Sequence, residues 1–176
     1  YWGAYGNRPT DERPPAYVPG EAPPQNFRTP VHCADRSNDG MVYVCDRPSN
    51  RISVFTTEGE FVKESIIAPA TLSQGSTWDV AFSPDAGQQF MYMADGQNMK
   101  VYIIERETME VLTAFGDGGR QPGMFFCEHM AAKWRKACFN SRSPATKFTL
   151  RTTLQRRDTL GRLVVRSTPS LKWSLI

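Results

Sequence analysis

An internal repeat is the feature that most constrains how this chain can fold. The segment Val42–Asp46 (VYVCD) aligns with residues 91–95 (MYMAD), and the same offset of 49 carries Arg51–Phe55 (RISVF) onto residues 100–104 (KVYII). No gap is needed across these 14 positions. Self-similarity at such a period is typical of chains that stack copies of one supersecondary unit.

The repeat extends beyond this central segment. Residues 30–34 align with residues 77–81 at an offset of 47, and residues 60–64 align with residues 109–113 at an offset of 49. A third copy begins at Cys127. We therefore expect two complete copies and parts of others.

Four short strands are predicted in each copy. Runs rich in β-branched and aromatic residues are separated by turn sequences such as Asn-Asp-Gly and Ser-Pro-Asp-Ala-Gly. A unit of roughly 40 to 50 residues with four strands is typical of a β-propeller blade, and a plain antiparallel sandwich is the alternative. The predicted strands lie near residues 31–35, 41–46, 51–56 and 60–67 in the first copy, and near 78–82, 90–94, 100–105 and 109–115 in the second.

The first copy closely resembles an NHL repeat. It has Tyr-Val-Cys-Asp at residues 43–46, Asn-Arg-Ile-Ser-Val-Phe at residues 50–55 and Gly-Glu-Phe at residues 59–61. The second copy matches less well and opens like a WD40 blade at Trp78, but neither copy ends in the Trp-Asp pair of that family. The resemblance implies an all-β fold, a partial β-propeller of four-stranded NHL-type blades, from a family whose propellers usually have six.

The repeat predicts five parts along the chain. Because the chain begins with Tyr1 rather than Met, we expect a fragment or a processed product. About two full blades plus parts of two others would leave apolar blade faces and strand edges uncovered, so we expect the isolated fragment to self-associate. The parts are the end of a preceding blade with a Pro-rich inter-blade loop (1–29), an NHL blade (30–76), an NHL-like blade (77–122), the start of a further blade (123–132) and a basic non-repeat tail (133–176).

Charge separates the repeat from this tail. Residues 1–132 carry ten Lys and Arg and 17 Asp and Glu, a net charge of −7, whereas residues 133–176 carry eleven Lys and Arg and one acid, a net charge of +10. Three interpretations of the tail stay open: a segment that binds nucleic acid or an anionic membrane, a disordered tail, or a frame-shifted sequence. The last is favoured, because the repeat stops in the middle of a predicted blade.

A candidate metal site follows from the repeat alignment. His32, Asp79 and His129 occupy the same repeat position, at offsets of 47 and 50. Equivalent positions on the innermost strands of neighbouring blades converge around a propeller's channel, where two imidazoles and a carboxylate are ligands for Zn²⁺ or another divalent cation. Cys33 is not counted, since strand alternation turns it away from the channel. Polar channel residues that only bind water are the alternative.

A second resemblance bears on this site. Residues 32–34 and 44–47 resemble the peptidyl-hydroxyglycine amidating lyase, an NHL-like propeller with a channel zinc held by histidines at the start of inner strands. This implies a metal-dependent lyase or hydrolase. No catalytic residue is assigned, because the tyrosine and arginine of that family match no position in this chain.

Loop residues supply the other candidates. Arg47, Arg51 and Arg120 lie in predicted loops and are candidates for binding an anionic ligand. Asp46 and Asp95 repeat at the end of the second strand. They are expected to accept hydrogen bonds from backbone N–H groups of the following loop, with a surface or calcium contact as the alternative.

The function expected from these features is a ligand- or protein-binding module rather than an enzyme. The alternatives are the metal-dependent lyase or hydrolase and an RNA-binding NHL propeller, which the negative charge of residues 1–132 disfavours. The four cysteines are too sparse for a disulfide framework and lack metal-type spacing, and no apolar run approaches the roughly 18 residues of a membrane span. A bacterial periplasmic or secreted location follows from the resemblance alone.

Overall fold

The structure, a computed structural model, describes residues 1–119 and 124–125. These residues fall within one compact unit, and their regular secondary structure is β-strand apart from three-residue 3₁₀ turns at Ala4–Gly6 and Arg47–Ser49. Among them no helix is long and apolar enough to cross a membrane. The strands are β1 (Val31–Arg36), β2 (Val42–Asp46), β3 (Arg51–Phe55), β4 (Phe61–Ile66), β5 (Asp79–Phe82), β6 (Phe90–Asp95), β7 (Lys100–Glu105) and β8 (Glu110–Phe115).

The strands form two antiparallel sheets of four, each in sequential order. The first sheet is β1-β2-β3-β4 and the second is β5-β6-β7-β8. All eight predicted strands are present, each within one residue of its expected ends. The prediction of an all-β fold built from two four-stranded units is confirmed for the described residues.

The central strand pairs of the two sheets repeat the same hydrogen-bonding register. Five residue pairs join β2 to β3, and each recurs between β6 and β7 with both residue numbers raised by 49, from 42↔55 to 91↔104 and from 46↔51 to 95↔100. The β-bulge between Val54 and Phe55 also recurs between Ile103 and Ile104. The fourth strand departs from the predicted offset of 49, because Val54 pairs with Lys63 and Ile103 pairs with Thr113, an offset of 50. The sequence repeat is therefore a repeat of backbone geometry.

The first strand of each sheet departs from the predicted offset. In the first sheet Cys33 pairs with Cys45, and in the second Asp79 pairs with Ala94, which is equivalent to Cys45. Asp79 is thus the counterpart of Cys33, at an offset of 46. The predicted equivalence of His32 and Asp79 is off by one residue, because a bulge inserts His32 between Val31 and Cys33.

The core lies between the sheets, where one face of each is apolar. The face of the first sheet that packs against the second sheet is called the front face. The face of the second sheet that packs against the first is called the back face. Tyr43 and Phe82 meet edge to face across this interface, with ring centroids 4.9 Å apart. The front face contributes Tyr43, Cys45, Ile52 and Val54 to the buried cluster, and the back face contributes Val80, Met91, Met93 and Ile104.

The other face of the first sheet is covered by the N-terminal segment. Phe55 is fully buried and packs against the rings of Trp2 and Phe27, while Tyr5 meets Phe61 edge to face at 4.9 Å. The expectation that both outer blade faces would be uncovered is therefore wrong for the first sheet. Residues 8–25, the Pro-rich segment, contain no helix or strand, as predicted.

A buried ion pair fixes this N-terminal segment to the sheet. Arg51 and Asp46 face each other across β2 and β3, both side chains are 0% exposed, and Nη2 of Arg51 lies 2.7 Å from Oδ2 of Asp46. The guanidinium also donates to the hydroxyl of Tyr5 and to the backbone carbonyls of Pro24 and Asn26. Because one cation satisfies all these acceptors, the segment and the sheet are held by the same group.

A second arginine ties the sheets together at their opposite end. Arg106 of the β7–β8 turn donates to both carboxylate oxygens of Asp39 in the β1–β2 turn, to the hydroxyl of Tyr43 and to the carbonyl of Gln88. Partial burial alone would raise the pKa of Asp39, but the hydrogen bonds from Ser37 and Arg106 outweigh it, so this pKa lies below its usual value. The contact is therefore strongest above the acidic range and weakens as Asp39 protonates.

We predict that Arg51→Met destabilises the chain strongly. The substitution leaves Asp46 buried without its cation, a change that costs about 3–5 kcal/mol at comparable sites. The free energy of unfolding, from urea denaturation followed by far-ultraviolet circular dichroism, measures the effect.

Arg36→Met is the matched control, because Arg36 is exposed at the end of β1. Its unfolding free energy should stay within about 0.5 kcal/mol of the parent chain. Equal effects of the two substitutions would show that the buried pair does not hold the fold together.

Candidate functional site

The described candidate site residues gather at one end of the two sheets. At this end β1, β3, β5 and β7 begin and β2, β4, β6 and β8 finish. We call it the His32 end. It carries His32, Arg47, Arg51 and Asp79, together with part of the Pro-rich segment. Arg120 and His129 lie outside the described residues.

His32 is exposed but held in one orientation. Its Nδ1 lies within hydrogen-bonding distance of the backbone carbonyl of Trp78, and the two rings lie 5.1 Å apart. A carbonyl only accepts, so Nδ1 carries the hydrogen, and in the neutral imidazole Nε2 keeps its lone pair. This is how metal-binding histidines are commonly oriented, through a hydrogen bond from the other ring nitrogen.

Trp78 is the centre of the packing at this end. Its ring is 4% exposed, its Nε1 donates to the carbonyl of Gly75, and the guanidinium of Arg47 lies 4.6 Å from its centroid. Arg47 is thus a cation–π partner of Trp78, held in the 3₁₀ turn Arg47–Ser49. A Cβ on Gly96 would lie 2.7 Å from the ring of Trp78, so the chain needs glycine there.

Asp79 lies close to another carboxylate and to a sulfur atom. Its carboxylate, that of Asp35 and the sulfur of Cys33 lie within 4.8 Å of one another, the one such group of three potential metal donors found among the described residues. All three residues are partly buried. Of the predicted metal ligands, the structure describes His32 and Asp79 on neighbouring first strands.

Cys33 is joined to Cys45 by a disulfide between β1 and β2. Sequence reasoning missed this bond by treating four cysteines as too few for a framework. The signal was present: Ser37–Met41 forms the hairpin turn centred on Asp39, and residues equally distant from that centre, such as 33 and 45, must face each other.

Arg51 is buried and donates hydrogen bonds to protein groups in this structure. Its side chain is 0% exposed, and Nε, Nη1 and Nη2 all donate to protein acceptors. Its position at the start of β3, one residue after a loop, suggested an exposed cation. The burial comes from residues far away in sequence, Tyr5, Pro24 and Asn26, which no local pattern indicates.

The two repeated aspartates are structural in different ways. Asp95 accepts hydrogen bonds from the backbone N–H and the side-chain amide of Asn98, as predicted for a turn carboxylate. Burial raises the pKa of Asp95, and the hydrogen bonds from Asn98 oppose that rise. Asp46 pairs instead with Arg51 and accepts one backbone N–H, from Arg28 before β1.

A small cleft lies between the Pro-rich segment and the first sheet. Its volume is about 140 Å³, and Arg28 stands at its wall with Tyr17 at cation–π distance, 5.6 Å. Hydrogen bonds pin the segment here: Tyr17 donates to the carbonyl of Pro69, and Arg28 donates to the carbonyl of Pro15 and to Ser49. The lining is mostly apolar: Tyr17, Val18, Gly20, Glu21, Ala22, Pro23, Arg28, Ser49, Ile66 and Pro69.

No protein-family model matches the sequence, and no curated protein matches it significantly. The His32 end thus combines an oriented imidazole, an arginine–tryptophan contact, the group formed by Cys33, Asp35 and Asp79, and an apolar cleft.

We predict that Gly96→Ala disturbs the packing of Trp78. The added methyl group must displace the ring or the backbone, an overpacking that costs about 1–3 kcal/mol. The unfolding free energy should fall by that amount, and the near-ultraviolet circular dichroism of tryptophan should change.

Gly87→Ala is the control for this substitution. The nearest atom to its Cβ would be a carboxylate oxygen of Asp85 at 3.7 Å, an ordinary contact. A Gly87→Ala chain as destabilised as Gly96→Ala would contradict the close packing of Gly96 on Trp78.

Proposed function

We propose that the described residues are two successive blades of an NHL-type β-propeller that works as a ligand- or protein-binding module. The observation that carries the proposal is the identical register of the two central strand pairs, β2–β3 and β6–β7, at an offset of 49, with a β-bulge at the same position of β3 and β7. Successive units that pack front face on back face are the arrangement that a propeller requires. The NHL assignment rests on the sequence motifs of the first copy.

The binding surface in this proposal is the His32 end. Loops held on a rigid sheet scaffold commonly carry binding residues. Here the Pro-rich segment is pinned by Arg28 and Tyr17, so its cleft is preformed. A cleft of about 140 Å³ has room for one aromatic ring or one branched aliphatic side chain.

The chemistry of the cleft narrows the ligand. Val18, Ile66 and Pro69 offer apolar contacts, while Arg28 stands at the wall and favours a group with an acceptor or a negative charge. The ligand that fits is therefore a small aromatic or aliphatic group with a polar end, free or at the tip of a partner protein.

A metal-dependent lyase or hydrolase is the second candidate function. The observation that favours it is the orientation of His32, whose Nε2 keeps its lone pair for a cation. Zn²⁺ bound there would supply Lewis-acid chemistry. The two functions differ in one respect: binding in the cleft needs no metal, so a chelator should leave it unchanged.

We predict that benzyl alcohol binds in the cleft. Titration followed by NMR should shift the methyl resonances of Val18 and Ile66, and Ala22→Leu, which adds bulk to the cleft wall, should weaken binding about tenfold. Benzoate, which carries a charge for Arg28, should bind more tightly than benzyl alcohol.

Ala86→Leu is the matched control, because Ala86 is exposed in the turn before β6 at the opposite end of the sheet. It should leave the affinity unchanged. Absence of methyl shifts at millimolar ligand, or equal weakening by both substitutions, would remove the cleft as the binding site.

A further inference from the structure

Cys33, Asp35 and Asp79 form a group of potential metal donors, the sulfur–carboxylate group, which takes no part in the proposed binding function. Cys33 and Asp35 are two residues apart on β1, so strand alternation points them to the same side. Asp79 reaches them from the start of β5, the neighbouring first strand. Donors from both sheets thus converge within 4.8 Å.

Two carboxylates this close repel each other, and a cation between them removes the repulsion. Thiolate and carboxylate oxygen are both ligands of Zn²⁺, at about 2.3 Å and about 2.0–2.2 Å. Sulfur and oxygen ligands at those distances from a tetrahedral ion are closer to one another than the 4.8 Å limit within which the three donor atoms lie here. A fourth position would remain for water or a further ligand.

The sulfur of Cys33 is withheld by its bond to Cys45. A disulfide sulfur carries no negative charge and is a poor ligand for zinc, whereas a thiolate is a strong one. Cys45 is fully buried, while Cys33 is partly accessible, so Cys33 is the sulfur that a reductant and a metal can both reach.

We propose that reduction of the Cys33–Cys45 disulfide creates a site for Zn²⁺ or a similar thiophilic divalent cation, with Cys33, Asp35 and Asp79 as ligands. A dithiol supplies two electrons and two protons, the S–S bond breaks to give two thiols, and the dithiol becomes a disulfide. The cation then replaces the proton on Cys33, which passes to solvent. The chain would bind metal under reducing conditions and release it on oxidation.

The test uses the full chain with Cys127→Ser and Cys138→Ser, so that the two remaining cysteines are Cys33 and Cys45. It is compared before and after reduction by a phosphine that is removed before titration. Isothermal titration with Zn²⁺ should show about one equivalent bound to the reduced chain, at least about tenfold more tightly than to the oxidised chain. Co²⁺ should give a thiolate-to-cobalt absorption band in the reduced chain alone.

Substitutions identify the ligands. Cys45→Ala, which leaves Cys33 as a thiol, should bind Co²⁺ with the thiolate band and without any reductant, whereas Cys33→Ala should lack the band. In the reduced chain, Asp79→Asn should weaken Zn²⁺ binding by about tenfold or more, and Asp11→Asn, at an exposed site, should not. Far-ultraviolet circular dichroism of each variant reports whether the sheets are retained.

Equal Zn²⁺ affinity in the oxidised and reduced chains would overturn the proposal, as would a thiolate band that survives in Cys33→Ala. The benzyl alcohol titration is run on the same samples. Zn²⁺ binding without benzyl alcohol binding would contradict the proposed binding module alone. Benzyl alcohol binding without Zn²⁺ binding to the reduced chain would contradict the metal site alone.

Discussion

The packing of one sheet's front face on the next sheet's back face is the interaction on which the rest of this structure depends. A four-stranded sheet with apolar residues on both faces must bury both to be stable. Val80, Met91 and Ile104 bury one face of the first sheet, and Trp2 and Phe27 cover the other near Phe55. The polar contacts lie around this packing: the Arg106–Asp39 contact at one end and the Trp78 cluster at the other.

The β2–β3 and β6–β7 connections occupy equivalent positions in the two copies but are stabilised by different side chains. In the first, Asp46 pairs with Arg51, and the arginine gathers the N-terminal segment onto the sheet. In the second, Asp95 is held by Asn98, whose side chain also reaches Thr71 in the connection between the sheets. Shared backbone geometry has thus been kept, while the side chains serve neighbours that differ from copy to copy.

The local backbone could be predicted from the sequence, and the contacts between distant segments could not. Alternating apolar residues and turn sequences placed all eight strands within one residue. The burial of Arg51 depends on Tyr5 and Pro24, which follow no periodic pattern. The bulge at His32 changes the offset by one residue, which a comparison of residue types alone does not reveal.

For the candidate site, residues that the sequence singled out lie at one end of the sheets, but the sequence did not predict which of them contact each other. His32, Arg47 and Asp79 do lie at one end, yet Asp79 groups with Cys33 and Asp35 because the bulge shifts its counterpart. Arg47 was a candidate for an anion and is a partner of the Trp78 ring. The cleft could not be predicted, because it forms through long-range contacts between the Pro-rich segment and the first sheet.

Amide hydrogen exchange of the full chain tests the central claim most directly, namely that the central strands of the two copies pair in the same register. The account predicts that the slow and fast amides of residues 42–55 recur at residues 91–104, each 49 positions later, because the same backbone groups are paired in both sheets. Protection in one copy alone, or patterns out of phase by one residue, would contradict it.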